Sequence, residues 1–167
     1  ACMLTLGATI IARGPSGERR IAASKFFAGI YETALESQEL LVAVELPVPP
    51  KDSTHFFHEF ARRHGDYAIV GLAAHAVVKD GRFVDLRLGF FAVGDRPLLA
   101  GSAAKLVDVA ITSAVLSEAF SALDEELDPL EDQQATPAMR RHLAKVLLAR
   151  CISALLGRPD LLAGATA

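Results

Sequence analysis

The side chains able to do chemistry in this chain are few and scattered. Of its five histidines, His55, His58 and His64 share one charged stretch, His75 lies in an apolar one, and His142 falls near the C-terminal end. A helical metal site needs two histidines four residues apart, and no pair has that spacing. Strand alternation puts His58 and His64 at opposite ends of their charged segment, which separates them as ligands. His75 reads as a hydrogen-bonded structural histidine, and His142 as a solvated residue on the polar side of a helix. Arg62-Arg63 offers two guanidinium forks suited to a phosphate or a partner carboxylate, although a solvated or ion-paired strand end is the favoured reading for at least one of the two. Asp124-Glu125-Glu126 reads as a wet helix face rather than an acid–base pair. Cys2 and Cys151 form no CxxC pair, so a disulfide framework, a zinc site or an iron–sulfur site within the chain has no support. Cys151 reads as a small buried hydrophobe. Neither GxGxxG nor GxxxxGK(S/T) is present, so the chain carries no phosphate-binding loop of the usual kinds.

The elements that must position these residues follow from periodicity and punctuation. Met3 to Arg13 reads as a strand, Gly14-Pro15-Ser16-Gly17 as a turn, and Arg19 to Ala22 as a second strand. That opening hairpin has no evident partner. An isolated hairpin is marginally stable at best, so it is expected to complete a sheet whose other strands lie elsewhere. Lys25 to Leu35 reads as a partly helical connector and Leu40 to Leu46 as a buried strand. Pro47-Val48-Pro49-Pro50 with Lys51-Asp52-Ser53 is the best domain boundary. Three strands follow, at about His55–Arg62, Ala68–Val78 and Arg82–Val93. The first has one wet face, and the second is buried nearly throughout. Gly65-Asp66 marks a turn, and Asp80-Gly81 is a two-residue hairpin signal. A short helix is predicted at Ala103–Val109. Another at Ser113–Leu127 carries Leu116, Phe120, Leu123 and Leu127 inward and is stopped by Pro129. The last begins at Thr136 as N-cap with Pro137 at its first position, and ends at Gly157 and Pro159. Its predicted stripe is Met139, Leu143, Val146, Leu147, Ile152 and Leu155. Strands followed by helices make the class α+β, with about three helices packed on a three-stranded antiparallel sheet.

Composition sets the outer bounds. The chain has 167 residues, 51% hydrophobic and 22% charged, with a net charge of −3, which fits a folded domain with a sizeable core. Basic and acidic residues are mixed, so neither nucleic acid nor an anionic membrane surface has support as a partner. No apolar run reaches the ~18 residues of a membrane span. The first residues lack the features of a signal peptide. The expected compartment is the cytoplasm.

Four segments together resemble a known family: Phe26-Phe27-Ala28-Gly29-Ile30-Tyr31 with its continuation to Leu35, Glu39-Leu40-Leu41 running to Pro47, the stretch Phe56 to Ala74, and Arg87 to Arg96. Their order and spacing are similar to the FAD-binding medium subunit of molybdenum hydroxylases, of carbon monoxide dehydrogenase and xanthine dehydrogenase type. The resemblance is to the C-terminal portion of that subunit. It implies a remnant of a flavin-binding (PCMH-type) domain at 1–47, a C-terminal domain of carbon monoxide dehydrogenase flavoprotein type at 54–157, and a tail at 158–167. The family's glycine-rich pyrophosphate loops have no counterpart here. The implied role is electron transfer from 2Fe–2S iron–sulfur clusters through FAD to an acceptor, with the piece alone inactive. The implied partners are an iron–sulfur small subunit and a large subunit carrying the molybdenum cofactor, assembled as a dimer of heterotrimers. Three positions correspond to sites near the flavin ring. Leu41 matches an apolar residue that packs on the ring, and Tyr31 an aromatic that covers one face and gates access. His58 stands where the xanthine dehydrogenase branch often has a lysine, a departure from the pattern. Core packing for Leu41, an amphipathic contact for Tyr31 and a solvated strand position for His58 are the structural alternatives. A second reading of the whole is a subunit-docking module that binds no cofactor.

Overall fold

A computed structural model describes residues 1–163. The chain opens with one helical turn, α1 (Cys2–Thr5), then β1 (Thr9–Gly14) and β2 (Gly17–Ala22). The strand predicted from Met3 is thus split. Gly7 takes a left-handed φ of 67° after α1, which turns the chain before β1. Thr5 anchors the turn by donating its hydroxyl to the carbonyl of Ala73, 3.2 Å away. The predicted partly helical connector is a single 3-10 turn, Ala23–Lys25, followed by a miniature hairpin of β3 (Phe27–Gly29) and β4 (Glu32–Thr33). Tyr31 sits at its tip with φ 57°.

The opening hairpin is not without a partner. β5 (Leu40–Glu45) pairs antiparallel with β1, giving a three-stranded sheet in the order β2-β1-β5 with a bulge between Ile11 and Ala12. Its small core is Ile10, Ala12, Ile21 and Phe26, with Phe27 edge-on to Phe26. The expected burial of Leu40–Leu46 fails, because every residue from Leu40 to Leu46 is exposed. β5 is an outer strand, and no described element lies over it.

The second sheet is antiparallel, in the order β6 (Ser53–Ala61), β7 (Ala68–Lys79), β8 (Arg82–Phe91) and β9 (Leu98–Leu99). Asp80 and Gly81 both have positive φ, at 50° and 71°. That is what a two-residue hairpin matching the strand twist requires. β7 is buried because both its faces are covered. Val70, Leu72, Ala74 and Ala76 meet the helices in the main core, while α1 lies across the other face. Thr5 approaches Gly89 there so closely that a Cβ on the glycine would stand 2.1 Å from its Oγ1.

The helices behave as their caps dictate. The predicted helix at Ala103–Val109 is a 3-10 turn over Gly101–Leu106. α2 (Ser113–Glu126) starts where Thr112 accepts from the Val115 amide, and α3 (Pro137–Leu156) where Thr136 accepts from the Met139 amide. Gly157, at φ 64°, closes α3. The buried face of α3 is rotated from the predicted stripe. Met139 is half exposed, whereas Arg140 is buried, donating to the carbonyls of Ile69 and Ala92 and to Asp132. The tail predicted over 158–167 contains the short α4 (Asp160–Ala163), and residues 164–167 lie outside the described residues.

Candidate functional site

The outer strand of the first sheet is rich in exposed apolar side chains. Leu40, Leu41, Val42, Val44 and Leu46 are exposed by 72, 45, 44, 41 and 51%. Burying such side chains is worth about 1.5–3 kcal/mol each, so a bare row of them marks a surface made to be covered. Tyr31 is fully exposed at 103%, with Ile30 beside it at 56%. Its left-handed backbone, uncommon for an aromatic residue, holds the ring out from the hairpin tip. The hairpin is fixed to the second sheet's far end by Arg96, which donates to the Ala28 carbonyl at 3.2 Å. Leu41 is set by its pairing with Ala12, just past a bulge at which Val42 is the extra residue of β5.

His58 lies apart from these two. It is an exposed residue of β6 whose ring sits edge-on to Phe60 at 5.6 Å and tilted over Phe56 at 6.4 Å. Among the described residues no hydrogen bond or ring contact joins it to Tyr31 or Leu41.

Ile30, Val42, Val44 and Leu46 are exposed as well and escaped the sequence reading, because an apolar run was taken as a buried one. A ring face could rest on side chains of this kind. A pyrophosphate could not be cradled by what is described. The positive-φ glycines 7, 17, 65, 81 and 157 sit in isolated turns and caps, and α2 and α3 open on threonine caps rather than glycine-rich loops.

A second constellation spans the junction between the two sheets. His55, His75 and Arg87 stand side by side on β6, β7 and β8. His75 Nδ1 is 3.1 Å from His55 Nε2, which bears out the reading of His75 as a hydrogen-bonded structural residue. Arg87 pairs with Asp85 at 3.1 Å. Burial, aided by the Arg87 cation, pushes the His75 pKa down against the pull of Asp85. No group of three or more His, Cys, Asp or Glu able to hold a metal ion occurs among the described residues, and no described helix is long and apolar enough to cross a membrane.

The chain is thus of α+β class, with an uncovered apolar edge strand and a tyrosine projecting from a separate hairpin. Residues 55–155 match the CO dehydrogenase flavoprotein C-terminal domain, and residues 1–49 match the FAD binding domain in molybdopterin dehydrogenase. The chain therefore belongs to the CO dehydrogenase flavoprotein (medium-subunit) family. It is 33% identical over 153 residues to the carbon monoxide dehydrogenase medium chain of Afipia carboxidovorans, covering 91% of this chain and 53% of that protein. It is 30% identical over 144 residues to the putative xanthine dehydrogenase FAD-binding subunit of Escherichia coli, covering 83% of this chain and 49% of that one. Among solved structures, a chain of the reconstituted CO dehydrogenase from Oligotropha carboxidovorans superposes with a TM-score of 0.88 at 31% identity, covering 93% of this chain and 55% of that one. Quinoline 2-oxidoreductase from Pseudomonas putida 86 gives 0.84 at 35% identity, covering 96% and 55%. The chain spans about half the length of the curated relatives it matches.

Proposed function

We propose that this chain is part of the FAD-carrying, electron-transferring medium subunit of a molybdenum hydroxylase. In that role electrons arrive from iron–sulfur clusters on a small subunit, which drain a molybdenum-cofactor centre on a large one, and leave to an acceptor. Residues 1–47 belong to the flavin-binding domain and 54–157 to the C-terminal domain, with the assembly a dimer of heterotrimers in the cytoplasm. The observations that support this reading are the uncovered apolar side chains of β5 and the fully exposed Tyr31. Bound FAD would supply the chemistry, accepting an electron pair and releasing electrons singly or together.

The chain's own residues bind and orient. Leu41 would offer an apolar contact to the isoalloxazine ring, and Tyr31 an aromatic cover that limits access of water and acceptor. His58 lines the approach at greater remove and is the least engaged of the three. Phosphate binding falls to segments other than those described, so this piece by itself is expected to be colourless and inactive.

The test replaces Tyr31 and Leu41 by alanine in the full-length subunit within its complex. Losing about 1.5 kcal/mol of ring contact in either variant predicts roughly tenfold weaker flavin retention. Slower flavin reduction by substrate should accompany it in the Tyr31→Ala protein. Unchanged affinity and unchanged reduction in both variants would favour a docking module over a flavin site.

A further inference from the structure

We propose that the cavity at the junction of the two sheets binds a small organic anion, a single carboxylate carried on a ring-sized apolar body. At about 290 Å3 it has the volume of a small ligand pocket. Strand register assembles its floor. His55 of β6 pairs with His75 of β7, and His75 with Arg87 of β8, so three nitrogen-bearing side chains stand in one row across the sheet. Leu6 and the segment from Leu46 to Pro50 form the rest of the lining.

The chemistry of that lining selects the ligand. Its polar side chains are two imidazoles and a guanidinium, and no carboxylate is among them. Asp85 pairs with Arg87 at 3.1 Å from outside the lining and offsets part of its charge, so the floor suits a monoanion better than a phosphate dianion. Pro47, Pro49 and Pro50 have no amide hydrogen to donate, which leaves recognition of the charge to the floor. The same segment offers apolar contact. Leu46 and Val48 are 51 and 93% exposed, so a hydrocarbon body seated against them removes wet apolar surface from water.

The floor also has hydrogen-bonding capacity to spare. His75 is 3% exposed, yet its Nε2 has no hydrogen-bond partner and stands 3.4 Å from the Asp85 carboxylate without bonding to it. An orphaned buried polar atom is uncommon and calls for a partner such as a bound ion. His75 Nδ1 is taken by His55 Nε2 at 3.1 Å, and the other ring nitrogen of the exposed His55 makes no hydrogen bond among the described residues. Arg87 donates one nitrogen to Asp85 and reaches the Thr5 carbonyl only at 3.5 Å. A guanidinium has five N–H groups, so donors remain for a carboxylate.

The test uses the full-length subunit with its flavin and takes benzoate as the probe. Calorimetry should show saturable binding at one site with a Kd below about 10 mM. Nuclear Overhauser contacts should join the benzoate ring to the methyl groups of Leu6, Leu46 and Val48. Arg87→Gln should weaken binding by about tenfold or more. Benzyl alcohol, which keeps the ring and lacks the charge, should bind the wild type more weakly by a similar factor, and this comparison stands even where the variant folds poorly. Inorganic phosphate should not displace benzoate. Absent saturation, or contacts confined to other methyl groups, would overturn the proposal. So would equal affinity for benzyl alcohol, undiminished affinity in a folded Arg87→Gln, or displacement by phosphate. The flavin absorbance, read in the same samples, reports separately on the flavin site.

Discussion

Replacing Arg140 by methionine should cost this chain a large share of its stability, although no charged surface pair would seem to be at stake in the sequence. Arg140 is 5% exposed. One of its nitrogens donates to the carbonyls of Ile69 and Ala92, the latter at 3.1 Å, and another to Asp132 at 2.6 Å. Methionine keeps the length of the side chain and most of its packing, yet leaves both carbonyls without their donor. Hydrogen bonds to a charged donor contribute about 1.5–3 kcal/mol each, and breaking a buried pair on one side costs about 3–5 kcal/mol. The expected loss is therefore about 3–5 kcal/mol out of a total of about 5–15. In urea, with a slope of about 2 kcal/mol per molar, the midpoint should fall by about 2 M. Asp132→Asn, which leaves both carbonyl bonds in place, should shift it much less. A midpoint change under about 0.5 M for Arg140→Met would refute the claim that α3 is stapled to β7 and to the end of β8 through these carbonyls. So would an equal shift for Asp132→Asn.

Gly89→Ala would set a Cβ 2.1 Å from Thr5 Oγ1. It should push α1 off the sheet at about 1–3 kcal/mol, read as a melting temperature lower by roughly 3–10 °C. Thiol titration of the native protein should find Cys2 reactive and Cys151 silent until unfolding, because Cys2 is exposed while Cys151 is buried and burial pushes its pKa up. Glu39 is held at a pKa of about 2 by its hydrogen bonds from Arg19 and from the Glu36 amide. The folded chain thus binds fewer protons than the unfolded one between about 4.5 and about 2, and stability should decline as pH falls through that window. Arg19→Gln should return the Glu39 carboxyl-carbon titration toward 4.5; an unmoved midpoint would show that Arg19 is not its cause.

What the sequence made legible was local. Thr136, Pro137 and Gly157 announce the ends of α3, and Asp80-Gly81 announces the β7–β8 turn, because caps and tight turns are satisfied within a few residues. What it hid depends on distant chain. Arg140 finds its carbonyl partners 71 and 48 residues away, so helical periodicity placed Met139 inward instead. Leu40 to Leu46 has the apolar composition of a buried strand, and composition is silent on whether a neighbour arrives to cover it. The residues proposed to face the flavin came from motif resemblance, whereas the row of His55, His75 and Arg87 needed the register of three strands, which no spacing rule reveals.

The position of β5 at the rim of its sheet has a practical consequence. Its outer backbone amides and carbonyls have no mate among the described residues, and the run Leu40-Leu41-Val42-Ala43-Val44 contains neither charge nor proline to discourage one. Such a rim is a template for strand addition by any similar chain it meets. Preparations that leave it bare should self-associate as concentration rises, and a lysine placed at Val42 should keep them dispersed.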